Sequence, residues 1–201
     1  MLLDADQSQL ILVDYQSRLM PAIHGSVEVL ANAQRLARMA RLMQVPVWAT
    51  EQNPAKLGGT DVDLVAQCDR VVPKMAFSAA SVLQPLLAPP APALRGNARS
   101  LPRHLQKNQP AQQAPERSTL VMAGCEAHVC LLQTALDLLE GDWDVCVVTD
   151  ACGSRTDRNR DAAFDRLAAA GCELLTAEMV GFEWLRDSQH PQFKAWQMLI
   201  K

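Results

Sequence analysis

The stretch "GCEAHVC", Gly124 to Cys130, places two cysteines, a glutamate and a histidine within six residues, directly ahead of an apolar helical pattern. Four chemistries fit such a cluster: a metal site, a disulfide, plain core, or a nucleophile at the mouth of a helix. Glu126, His128 and Cys130 alternate as ligands on a strand would. A helix destroys that alternation, and no HxxxH or DxH group lies elsewhere to complete a zinc set. A Cys125–Cys130 disulfide is disfavoured by the turn between them and by the expected compartment. The nucleophile reading needs a thiolate. The positive end of the following helix and a nearby cation both favour one.

Two other residues stand where such a nucleophile needs help. Asp14 follows four apolar residues in "ILVDYQ", where a carboxylate is costly unless paired. It is a candidate general base for the thiol proton; the plain alternative is an Asp that caps a turn. Lys74, in "VVPKMAFS", is a candidate to hold both anions; the plain alternative is a surface lysine with its stem laid along apolar neighbours. On the helix, Cys130 shares a face with Gln133, Thr134 and Asp137. Val129, Leu132, Leu136 and Leu139 form the expected core stripe, which leaves Cys130 toward the open side.

These residues need elements to hold them. Short apolar runs at 9–15, 45–50, 70–74, 118–124, 144–150 and 172–177 read as buried strands. Helical patterns at 26–44, 79–88, 127–140, 158–170 and 191–200 fall between and after them. Ser26 is the expected N-cap of the first, Pro85 interrupts the second, and Pro191 opens the last. The alternation predicts one α/β domain over 1–201, a parallel sheet covered by helices. Asp14, Lys74 and Cys130 then all sit at carboxyl ends of strands, where open parallel sheets bind ligands. The segment 88–118 breaks the pattern. It carries six of the twelve prolines, and five basic residues against Glu116, and reads as an insertion with one short helical piece near 103–107.

The bulk numbers exclude some functions. The chain has 201 residues, is 49% hydrophobic, and has a net charge of −3 with aromatics at only 4%. A nucleic-acid partner calls for a basic surplus and stacking aromatics, so none is expected. No apolar run approaches a membrane span, and "MLLDADQSQL" is no signal peptide. A cytoplasmic protein with six reduced cysteines is the expectation.

The order of Asp, Lys and Cys, with "ILVDYQ", "KMAFS", "GCEAHVCLLQTALDLL" and "VVTDACGSRT" in sequence, resembles the isochorismatase-like cysteine hydrolases over nearly the whole chain outside 88–118. "TEQNPAKLGGT" and "HPQFKAWQMLIK" resemble the isochorismatase-domain-containing subgroup. The resemblance implies a three-layer α/β/α sandwich with six parallel strands in order 3-2-1-4-5-6. It implies a catalytic triad of Asp14, Lys74 and Cys130, and a cis peptide between Cys125 and Glu126. It also implies an oxyanion hole from the backbone N–H groups of Glu126 and Cys130. The activity implied is hydrolysis of a small-molecule C–N bond through a thioester, by a homo-oligomer. Gln16, Gln52, Phe77 and His128 are candidates to line the substrate pocket, and Arg155 to meet an anionic substrate or, preferably, to bridge elements. Nicotinamidases of this family carry a metal-binding Asp and His after strand two. The corresponding "ATEQNPAKLGG" has no His, so no metal, no cofactor and no nicotinamide substrate are expected. Two competing functions remain at this level: a non-catalytic binding or scaffold protein, and a redox protein using Cys125 with Cys130.

Overall fold

The computed structural model describes residues 2–87, 117–141 and 143–200. The expected insertion and its short helix near 103–107 lie outside the described residues, except for Arg117 and Ser118. Arg117 donates to the carbonyls of Ala5 and Ser8, tying the start of the chain to the sheet.

Six strands form one parallel sheet: β1 (Ser8–Val13), β2 (Val47–Gln52), β3 (Arg70–Lys74), β4 (Thr119–Gly124), β5 (Asp144–Val148) and β6 (Glu173–Leu175). Their order is β3-β2-β1-β4-β5-β6, as the resemblance implied. Strands β1 and β4 run side by side from Ser8 opposite Thr119 to Val13 opposite Gly124. Both are buried on each face, which is why they read as unbroken apolar runs. Strand β3 is an edge and tolerates Pro73, since its outer side has no ladder to complete.

Helices α1 (Ser26–Leu42), α2 (Pro54–Leu57), α3 (Val62–Val65), α4 (Ala80–Leu87), α5 (Leu132–Leu139), α6 (Asp157–Ala170), α7 (Ala177–Leu185) and α8 (Phe193–Ile200) surround the sheet. Helices α1, α7 and α8 pack together, and α4, α5 and α6 form a second group. Helix α1 presents Val29, Ala33, Leu36 and Ala40 to the core, one face at helical spacing. Its cap differs from expectation: Gly25, in a left-handed conformation, precedes the helix, and Ser26 is already its first residue. Helix α4 runs through Pro85, losing one backbone bond without ending.

Helix α7 was not expected from the pattern. Thr176 caps it, its hydroxyl accepting from the N–H of Met179. Gly181 in its middle allows close packing: a side chain there would run into the ring of Trp196 on α8. Trp196 is fully buried, and Phe182 meets it edge-on with ring centroids 5.9 Å apart. Trp196 of the last helix therefore packs within the subunit, with Phe193, Leu199 and Ile200 partly buried against the core and Met198 exposed. Among the described residues, no helix is long and apolar enough to cross a membrane.

Candidate active site

Strand β1 ends at Val13 because Asp14 turns left-handed, with φ 57°. A non-glycine residue rarely adopts this conformation, and such residues cluster at functional sites. The turn aims the Asp14 carboxylate into the interior at the carboxyl edge of the sheet, fully buried. Its Oδ1 accepts from the Thr50 hydroxyl at the end of β2 (2.7 Å), and its Oδ2 from Lys74 Nζ at the end of β3 (2.7 Å).

Lys74 is equally enclosed and does not snorkel. Besides Asp14, its ammonium donates to Gln52 Oε1 (2.8 Å) and to the Phe77 carbonyl (3.0 Å). A buried ion pair is tolerated when further hydrogen bonds satisfy both partners, and here they do.

Cys130 completes the group. It is 5% exposed, and both Asp14 and Lys74 act on its sulfur. The cation acts on the thiol in the expected direction but is outweighed. Burial pushes the thiol up to about 12; the Asp14 carboxylate adds to the rise, and the Lys74 ammonium opposes it. The thiol is therefore protonated at neutral pH. All six cysteines are free, so the cluster holds no disulfide.

The turn carrying Cys130 differs from the straight helix expected over 127–140. Residues Ala127–Leu131 form a π turn, in which the Leu131 N–H donates five residues back to the Glu126 carbonyl. The extra residue rotates the pattern beyond it. Leu131, Ala135 and Leu138 become the innermost apolar residues, while Val129, Leu136 and Leu139 of the expected stripe are only half-buried. Thr134, placed by the pattern on the open face beside Cys130, is fully buried.

The peptide joining Cys125 to Glu126 is cis, as the resemblance implied. The Glu126 carboxylate is gripped through both oxygens by Arg155, Nε to Oε2 at 2.9 Å and Nη2 to Oε1 at 2.6 Å. The Arg155 hydrogen bonds hold this carboxyl below the usual range. Arg155 thus bridges the β4 and β5 edges, the preferred of its two expected roles.

The four expected pocket residues divide. Gln16 is fully buried and its amide is spent on backbone: Nε2 donates to the carbonyls of Gln52 and Gly58, and Oε1 accepts from the Gln52 N–H. It ties β2 to the Asp14 turn and is not free to meet a ligand, a correction to its expected role. Gln52 touches Lys74 and donates to the Met75 carbonyl. Phe77 is 55% exposed, beside the site, and gives Lys74 a carbonyl. His128 is half-buried and shares a hydrogen bond with the Ser154 hydroxyl (3.0 Å). Thr50 and Ser154 escaped the sequence reading, and Thr134 was placed on an open face although it is buried. Thr50 carried a signal, a hydroxyl near the end of a buried strand; Ser154, in the loop after β5, carried none. Among the described residues, no three His, Cys, Asp or Glu side chains converge as metal ligands would.

Comparisons with known proteins agree with this architecture. The family model "Isochorismatase domain" matches residues 103–179. The isochorismatase domain-containing protein 2A of Mus musculus is 35% identical over 196 residues, spanning 98% of this chain and 84% of the relative. Among solved structures, a MAR1 ribonuclease from Caenorhabditis elegans superposes with a TM-score of 0.81 at 29% identity, covering 100% of this chain and 92% of its own. The YcaC gene product of Escherichia coli, described as an octameric hydrolase of unknown specificity, has a TM-score of 0.75 at 22% identity, covering 98% and 94%.

Proposed function

The chain belongs to the isochorismatase domain family, and from that premise we propose that it is a cysteine hydrolase opening a small C–N bond of amide type through a thioester on Cys130. The observation that carries the reading is the meeting of a buried carboxylate, a buried ammonium and a buried thiol at the carboxyl edge of three strands.

The steps follow from the protonated thiol. Asp14 accepts the proton as the sulfur attacks the carbonyl carbon, because a resting thiol pushed up to about 12 supplies almost no thiolate. Lys74 holds the carboxylate in place and offsets the charge developing on sulfur. The carbonyl oxygen takes up the displaced electron pair and is held by the N–H groups of Glu126 and Cys130. Among the described residues no acceptor takes the Glu126 N–H, which supports that assignment. Collapse of the tetrahedral species breaks the C–N bond, and the proton held by Asp14 leaves with the amine. Water then hydrolyses the thioester and returns a proton to the sulfur.

Charges at the centre cancel in pairs, Asp14 with Lys74 and Glu126 with Arg155. This favours a neutral substrate, with Gln52, Phe77 and His128 at the rim of the site. A second reading comes from the Caenorhabditis elegans relative, described as a ribonuclease. Phosphodiester cleavage calls for cations around the phosphate and a basic approach. The paired charges and the net charge of −3 do not favour it. Assembly into a homo-oligomer belongs to the same proposal, and a monomeric mass in solution would remove it.

A panel of small primary amides, with RNA beside them, tests the reading. Ammonia release is expected from an amide, and its loss in Cys130→Ala. Amide turnover that survives this change, or cleavage of RNA alone, would overturn it.

A further inference from the structure

Outside the triad, one buried hydroxyl touches two of the segments that build it. Thr134 Oγ1 donates to the carbonyl of Cys130 at 2.6 Å and accepts from the N–H of Ala79 at 2.9 Å. Thr134 and Ala79 are both fully buried. A threonine bonding back to a carbonyl four residues earlier commonly only bends a helix. Here the same oxygen reaches across to another element.

The loop it reaches runs from Met75 to Ala79 between β3 and α4. Its first three side chains contribute little packing, with Met75 71% and Phe77 55% exposed and Ala76 outward as well. Polar ties hold it instead. At one end the Lys74 ammonium binds the Phe77 carbonyl. At the other, two residues on, Ala79 binds Thr134. Bonds therefore run from Asp14 through Lys74 and this loop to Thr134, and from Thr134 to the backbone of Cys130. We propose that Thr134 is a positioning residue that sets the distance between the Lys74 ammonium and the Cys130 sulfur by fastening the Met75–Ala79 loop to the nucleophile turn. The proposal rests on Cys130 as nucleophile and adds the device that aligns it.

The test uses acrylamide, a small amide whose β carbon traps a sulfur nucleophile. Labelling at each cysteine is followed by peptide mapping, with the thermal midpoint recorded for every variant. Thr134→Val keeps the branched shape and removes the hydroxyl. It is expected to slow labelling at Cys130 about tenfold, since misplacement of a reacting group is costly in rate. Thr134→Ser is expected to restore most of it. A merely structural role predicts the opposite sign: a loosened core lets reagent in, so Cys130 labels faster, together with buried Cys125 and Cys152. Labelling of Cys130 that is equal in wild type and Thr134→Val, at whatever rate, or faster in the variant, overturns the proposal. Failure of the nucleophile reading shows separately, as amide turnover that survives Cys130→Ala.

Discussion

At the level of single residues, the sulfur of Cys130 feels two opposed charges. The Asp14 carboxylate raises its pKa and the Lys74 ammonium lowers it, on top of a larger rise from burial. The signs give a separable outcome. Asp14→Asn removes the raising charge and leaves the ammonium, so the thiol should ionise more readily and react faster with iodoacetamide. The same change removes the proton acceptor, so amide turnover should fall. Lys74→Met should slow both. In the wild type, the logarithm of the alkylation rate should climb with a slope of one between pH 7 and 10 and show no plateau, because only the thiolate reacts and its pKa lies above that window. A plateau near neutrality, or an Asp14→Asn variant that alkylates more slowly, would contradict this account. The pairing of Asp14 with Lys74 was legible in the sequence because a charged group beside a buried strand demands a partner, whereas Cys130 was singled out by its place after a strand and by the family resemblance. The pKa of Cys130 was not legible. A helix terminus and a cation are visible in a sequence, whereas the depth of burial that outweighs them is not. Gln16 was misread for a related reason: nothing in its type distinguishes an amide facing a ligand from one satisfying backbone.

At the level of elements, the strands were read well because both faces of a parallel sheet are buried, which produces plain apolar runs. The helices were read less completely, and the four-residue α2 and α3 went unread. The π turn at Ala127–Leu131 inserts one residue into a regular period, so the face assigned to Cys130 and its neighbours was rotated. Helix α7 was missed because "AEMVGFEWL" mixes aromatic, branched and glycine residues that individually disfavour a helix. Packing on Trp196 overrides that preference. The consequence is measurable at Gly181. Alanine there gains up to about 1 kcal/mol of helix propensity. It also thrusts a methyl group into a fully buried indole, and overpacking of this kind costs about 1–3 kcal/mol. The clash should win, so Gly181→Ala is expected to lower the thermal midpoint by several degrees, and an unchanged or raised midpoint would show that α7 and α8 pack less tightly than described.

At the level of the whole molecule, the sheet order explains why one small site draws on residues so far apart in the chain. Strands β1 and β4 lie side by side where the winding of the sheet reverses, and the crevice beyond their carboxyl ends receives Asp14 from one and Cys130 from the other. Strand β3, two places away, delivers Lys74. The topology was readable from the alternation of strands and helices together with the family resemblance. What links the three residues, Thr50, Gln52, Thr134 and the loop carbonyls, was not, because hydrogen bonds across the sheet edge leave no periodic trace in a sequence. On the proposed mechanism, this crevice makes and breaks a thioester on Cys130. The most direct measurement is acid quenching during turnover of an active small amide, followed by mass mapping of the peptide that carries Cys130. An added mass equal to the acyl part of the substrate is expected, released by hydroxylamine and lost when Cys130 is alanine. Steady turnover with no acyl group on Cys130, undiminished in the Cys130→Ala variant, would contradict the mechanism.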